Sequence, residues 1–173
     1  MAEMVPPILF TADEIATRVK ALAREISALP DRPDIAMPIL VGGFVFAADL
    51  IRALAADGLG LDVEMLWLRS YGDRRMAGAV SMIAGPSQEI AGRHVLVIDG
   101  VLDFGRTIRK AVSLIKAAGA GSVRVAVLLD KQRQAAVAKA DHVGFAIGDE
   151  FVIGYGMDDG GRYRGLPYVG LAE

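Results

Sequence analysis

Val95-Leu-Val-Ile-Asp-Gly-Val-Leu-Asp-Phe-Gly-Arg-Thr107 decides the reading of this chain. Its first four residues are apolar without alternation, the pattern of a short strand covered on both faces of a parallel sheet. Asp99 to Arg106 reads as a loop. Thr107 to Ala118 reads as a helix with Ile108, Val112 and Ile115 on one face, and Gly119 closes it. Val123 to Leu129 is a second apolar strand, so the segment is a βαβ unit with a right-handed crossover. A glycine-bearing loop running into a helix presents free backbone N–H groups and the positive end of the helix dipole, which suits an anion, most often phosphate. It lies at the carboxyl end of a parallel strand, where ligands bind in open α/β sheets. Gly105, Arg106 and Thr107 would then wrap a monophosphate, with Asp99 and Asp103 beside it. The same residues also fit a plain tight turn at Gly105, a helix-start carboxylate at Asp103 and an N-cap at Thr107. Neither G-x-x-x-x-G-K-[ST] nor G-x-G-x-x-G is present.

Outward from this unit, the rest of the chain reads as more of the same architecture. Residues 1–10 form an irregular lead-in ending in Ile8-Leu-Phe10. Thr11-Ala-Asp-Glu14 is a capping box, followed by Ile15, Val19, Leu22, Ile26 and Leu29 at helical spacing until Pro30. Ile35 to Val41 is a buried strand broken by Gly42-Gly43, Phe44 to Leu54 a helix, Gly58 and Gly60 a turn, and Asp62 to Leu68 a strand. Arg69 to Gln88 is polar and irregular, with a short hairpin at Ala79–Ile83. A loop of that length in a compact domain is usually functional. His142 to Ala146 and Phe151 to Ile153 are short strands.

Composition narrows the chemistry. The chain has 173 residues, 53% apolar and 23% charged, a net charge of −2, 20 glycines, two histidines and no cysteine. That length is one domain with room for a core. Absent cysteine excludes disulfide scaffolds, Cys-based zinc sites and thiol nucleophiles, and two histidines leave little for a metal cage or a Ser-His-Asp triad. The near-neutral balance argues against nucleic-acid binding. Ile35 to Ala48, the longest uncharged stretch, is interrupted by Pro38 and two glycines and falls short of the roughly 20 residues of a membrane span. The start shows no basic segment ahead of an apolar one, so no secretory leader is expected, and the chain reads as a cytoplasmic α/β protein.

The 95–107 segment resembles the signature of type I phosphoribosyltransferases: four apolar residues, two acidic, two apolar, then Asp-Thr-Gly-x-Thr. Every position fits except Gly100 and Phe104. Leu40-Val-Gly-Gly43 with the following helix, Arg69-Ser-Tyr-Gly72, Leu128-Leu-Asp-Lys131, Asp149-Glu-Phe-Val-Ile-Gly-Tyr-Gly-Met-Asp158 and Arg162-Tyr-Arg-Gly-Leu-Pro-Tyr168 are similar to segments of the hypoxanthine-guanine members. The resemblance spans about residues 8 to 171. It implies a parallel twisted sheet flanked by helices, with a hood from about 1–12 and 148–173 and a mobile lid at about 69–90, all within one domain of 1–173.

The implied reaction transfers phosphoribosyl from 5-phosphoribosyl 1-pyrophosphate to hypoxanthine, guanine or xanthine, with Mg²⁺ on the pyrophosphate. By the resemblance, Asp99 and Leu102, Asp103, Phe104, Gly105, Arg106 and Thr107 hold the ribose 5-phosphate, and Asp103 is also the general base. Leu40, Val41, Gly42 and Arg164 bind pyrophosphate, the Leu40–Gly43 loop often doing so through a cis peptide. Lys131 reads the purine O6, Phe151 stacks on the base, Val152 bonds it through backbone, and Asp158 belongs to the same purine-binding set. Asp158 and Asp99 serve the metal, and Ser70 and Tyr71 ride on the lid. A homodimer or homotetramer is implied, with no nucleic-acid or membrane partner. Read without the resemblance, Lys131 is a lysine at a strand end, Phe151 and Val152 are core strand, and Asp158 with Arg164 is a surface ion pair.

Three positions depart from the pattern. Gly100 replaces the second acidic residue, which normally helps hold the ribose hydroxyls. Phe104 replaces a small hydroxyl residue, and Val41 stands where relatives often carry Lys or Arg. A catalytically weakened or inactive purine-nucleotide-binding regulator on the same fold is therefore the alternative to an active enzyme.

Overall fold

The computed structural model describes residues 6–70 and 80–172. Its strands are β1 (Ile8–Phe10), β2 (Ile35–Leu40), β3 (Asp62–Val63), β4 (Leu66–Ser70), β5 (Val80–Ala84), β6 (His94–Leu102), β7 (Ser122–Asp130), β8 (His142–Ala146), β9 (Val152–Ile153) and β10 (Val169–Leu171). The helices are α1 (Ala12–Ser27), α2 (Phe44–Ala56) and α3 (Arg106–Ala117), with a 3₁₀ turn at Gln88–Ile90.

Seven strands form one sheet in the order β5-β4-β2-β6-β7-β8, with β3 also on β2. The central pairs β2–β6, β6–β7 and β7–β8 are parallel, and only β5 runs antiparallel, against β4. Period-two alternation divides the core between the two faces. Ala36, Leu96, Ile98, Ala126 and Leu128 pack with α1 and α2. Ile35, Met37, Val95, Val97, Val125 and Val127 pack with Ile108, Ala111 and Ile115 of α3. Because both faces are covered, the central strands are apolar throughout, as their sequences indicate.

A second sheet, β1-β10-β9, joins the first described strand to the C-terminal segment. Val152, Tyr155, Met157 and Val169 tie it into the α1–α2 side of the core. Phe10 also stacks on Phe145 with ring centroids 4.0 Å apart.

The structure corrects several sequence expectations. Ile8–Phe10 is a strand and not irregular, because β10 supplies its partner. The strand expected at Asp62–Leu68 is two pieces, which pair with opposite ends of β2: Ile35↔Asp62 and Leu40↔Trp67. Val80–Ala84 is a strand along β4, and no separate hairpin forms within it. The segment expected as a loop from Asp99 is strand as far as Leu102, since β7 extends alongside to Asp130. Gly105 caps α3 in the left-handed region (φ 75°), so the helix starts at Arg106 and Thr107 is not the N-cap.

Candidate active site

Strands β2 and β6 are neighbours from which the chain winds outward in opposite directions, β2 towards β4 and β6 towards β7. Such a switch point opens a crevice at the carboxyl ends of the strands. The Leu40–Gly43 loop leaves β2 there, and Asp99 to Gly105 occupies the corresponding end of β6.

These two segments meet backbone to backbone. The Leu40–Val41 peptide is cis. A Cβ at Gly43 would lie 3.0 Å from the Asp99 Cα and 2.9 Å from the Ile39 carbonyl. A Cβ at Gly100 would lie 2.9 Å from the Gly42 carbonyl, and one at Gly156 2.6 Å from the same oxygen. Gly42 itself faces open space. Gly100 thus does more than omit a carboxylate: it lets β6 close onto the β2 loop. Val41 is exposed beside it.

Gly156 also carries the next part of the site. Arg164 Nη1 donates to the Gly156 carbonyl at 2.6 Å, and its Nη2 pairs with Asp158 at 2.7 Å. The Gly161 amide donates to the other Asp158 oxygen at 2.6 Å. The ion pair read from sequence as one alternative is therefore present, and its backbone anchor places it next to the β2 loop.

Asp99 is held differently. Loss of solvent around its carboxyl pushes it up to about 7, although the Gly100 amide, donating at 2.8 Å, pulls the other way. A carboxylate so placed, with no cationic partner among the described residues, suits a cation that takes the place of its proton. No cluster of three or more acidic or histidine ligands exists among the described residues. Mg²⁺ needs none, because it keeps several waters and takes one or two carboxylates plus substrate phosphates.

Asp103 and Lys131 directly follow the ends of adjacent strands. The Lys131 amide bonds the Leu102 carbonyl at 3.0 Å, and Nζ of its side chain, which is only 8% exposed, lies 3.5 Å from Asp103 Oδ2. Arg133, which the sequence reading did not single out, donates from Nε to Asp103 Oδ1 and from Nη2 to Asp149. Its guanidinium carbon sits 4.4 Å from the centre of the Phe104 ring. No motif marked Arg133, but a visible signal was an aromatic residue at the one loop position where the signature carries a hydroxyl. The 131–138 segment then crosses the Asp103–Gly105 turn: Val137 N–H bonds the Phe104 carbonyl at 2.9 Å, and Ala138 packs where a Gly105 Cβ would stand. Arg106 and Thr107 follow in the first turn of α3, whose leading amides have no intrahelical acceptor.

Phe151 is 44% exposed and precedes the buried Val152 of β9. Core strand therefore describes Val152 and not Phe151. Ser70 ends β4 opposite Val80, and Tyr71 lies outside the described residues, as does the 71–79 part of the expected lid.

Residues 9–159 match the phosphoribosyl transferase domain. The chain belongs to the phosphoribosyltransferase family. This phosphoribosyltransferase is 35% identical over 177 residues to the hypoxanthine-guanine phosphoribosyltransferase of Bacillus subtilis, covering 100% of this chain and 96% of that one. It is 36% identical over 172 residues to the bifunctional protein TilS/HprT of Listeria innocua, covering 98% of this chain and spanning only 26% of that longer relative. Its fold matches a structure of Trypanosoma cruzi hypoxanthine phosphoribosyl transferase with a TM-score of 0.87 at 32% identity, over 100% of this chain and 95% of the other. The largely parallel sheet flanked by helices that the resemblance implied is the one observed. Among the described residues of the phosphoribosyltransferase, no helix is long and apolar enough to cross a membrane.

Proposed function

We propose that this enzyme transfers phosphoribosyl from 5-phosphoribosyl 1-pyrophosphate to a 6-oxopurine, hypoxanthine first and guanine or xanthine after it, in cytoplasmic purine salvage. The spacing of Lys131 and Asp103 carries the reading. A 6-oxopurine presents O6 and N7 side by side on one edge. An ammonium and a carboxylate oxygen 3.5 Å apart match that edge, with Lys131 donating to O6 and Asp103 accepting the proton of N7. Adenine offers an amino group where Lys131 needs an acceptor, so it is disfavoured.

The chemistry follows from these positions. N9 of the N7–H tautomer attacks C1 of the ribose, the N7 proton passes to Asp103, and the C1–O bond to pyrophosphate breaks. Such a step depends on positioning, on neutralising the leaving charge and on excluding water. The Asp103–Thr107 turn and the first amides of α3 hold the 5-phosphate, with Asp99 on the ribose side. The Leu40–Gly43 backbone and Arg164 hold the pyrophosphate. Phe151 offers a face to the base, and Val152 its backbone. Asp99 and Asp158 would hold Mg²⁺, which supplies positive charge to the leaving group. The expected lid at 69–90, with Ser70 and Tyr71, would shed water.

The exposed apolar residues Val63, Met65, Trp67 and Met82 support a homo-oligomer.

A coupled assay with hypoxanthine, guanine, xanthine and adenine, with 5-phosphoribosyl 1-pyrophosphate and Mg²⁺, tests the activity. Nucleotide is expected from the oxopurines and not from adenine. No product from any base rejects the reading in favour of a binding protein.

A further inference from the structure

We propose that Arg133 is a positioning residue for Asp103, and that Phe104 is the platform that makes it one. The proposal rests on the reading above, in which Asp103 takes the purine proton. Four charges alternate across the mouth of the site: Asp149, Arg133, Asp103 and Lys131. Arg133 contacts both carboxylates through different nitrogens of one planar fork and sets its guanidinium carbon over the Phe104 ring. A guanidinium over an aromatic face is attracted by the ring quadrupole. Three constraints thus fix a side chain that otherwise loses much rotamer freedom on ordering.

The consequence for Asp103 is directional. Its Oδ1 is tied by the Arg133 Nε–H, while among the described residues its Oδ2 has only the long 3.5 Å contact to Lys131. Oδ2 is therefore the oxygen left to accept a proton, and it stands on the side where Lys131 meets the base. Without Arg133, one contact at the limit of hydrogen bonding would orient a carboxylate that is 40% exposed. A small hydroxyl residue at 104 offers no face for the guanidinium. The departure at 104 and the arginine at 133 then form one unit, and Phe104 is no simple loss. The charged groups around Asp103 are Lys131 at the end of β7, Arg133 with Asp149 behind it, and Arg106 in the first turn of α3.

Arg133→Met, Arg133→Lys, Phe104→Ser and the double variant Arg133→Met/Phe104→Ser, made in the full chain and checked by thermal melts, test the unit. In Arg133→Met, kcat with hypoxanthine should fall about tenfold while KM for 5-phosphoribosyl 1-pyrophosphate stays within about twofold, the signature of lost orientation. Arg133→Lys should return only part of kcat, since an ammonium lacks the fork. Phe104→Ser should lower kcat less, and the double variant should be no slower than Arg133→Met, because the two residues act as one. Unchanged kcat in Arg133→Met, or multiplying losses in the double variant, would overturn the proposal. If the wild type forms no nucleotide, the assigned activity fails separately. Exchange of the Arg133 Nε–H with water, followed by NMR, then decides: faster exchange in Phe104→Ser supports the clamp, and an unmoved rate removes it.

Discussion

Asp99 shows how a single position couples stability to the chemistry. Its carboxyl sits at about 7 in the folded protein for want of solvent, against about 3.9 in an unfolded chain. Between those values the folded state keeps a proton that the unfolded state has lost, so stability falls as pH rises through the window and the full cost stands above it. Asp99→Asn removes the ionisation. Its melting temperature should equal that of the wild type below about pH 4 and exceed it increasingly up to about pH 7, then hold a constant gap, at about 2–4 °C per kcal/mol for a chain of this size. Mg²⁺ with pyrophosphate at pH 8 should raise the wild-type melt more than that of the variant, which keeps the Leu40–Gly43 loop, Arg164 and Asp158 but lacks one carboxylate for the metal. A gap that does not vary with pH would show that the carboxyl is not desolvated. The acidic side chain was visible in the sequence, but its altered proton affinity was not, because desolvation depends on the β2 loop packing across Gly100.

At the scale of elements, the βαβ unit was legible because its signals are local: an apolar run for each strand, and three apolar residues at helical spacing between them. Its ends were not. Asp99 to Leu102 is strand because β7 runs beside it as far as Asp130, a pairing about 28 residues away in the chain. Arg133 escaped notice for the same reason, since only folding brings it to Asp103. The start of α3 depends on Gly105, whose φ of 75° and whose contact with Ala138 leave no room for a side chain. In Gly105→Ala, the left-handed backbone alone should cost about 1–2 kcal/mol, and the 2.9 Å approach to the Ala138 amide forces the 131–138 segment outward. Because that segment carries Lys131 and Arg133, the variant should melt several degrees lower and also show a raised KM for both substrates. A lowered melt with unchanged KM would confine the glycine to a structural role.

The molecule as a whole spends its apolar surface unevenly. Both faces of the central sheet are closed by α1 and α2 on one side and α3 on the other, and the small sheet seals the C-terminal end. The β3–β4–β5 flank is left different: Val63, Met65 and Met82 are about half exposed, and Trp67 is 37% exposed. Isolated apolar side chains at a surface are ordinary, but several along the edge strands of a sheet point to a contact face or an aggregation hazard. An enzyme carrying that edge is expected to cover it with the same edge of a second copy, since two-fold contacts are self-complementary and the commonest in homo-oligomers. Trp67→Glu places a charge in the middle of the face. Truncating a buried interface tryptophan typically costs about 2 kcal/mol or more, roughly thirtyfold in dissociation constant. Light scattering across a dilution series should therefore show the wild type as a dimer or tetramer, and the variant dissociating at concentrations at least about thirtyfold higher. The Asp103–Lys131 end of the sheet belongs to other strands, so nucleotide formation per chain should persist in the dissociated variant. A monomeric wild type, or a variant of unchanged mass, would remove this edge from the assembly.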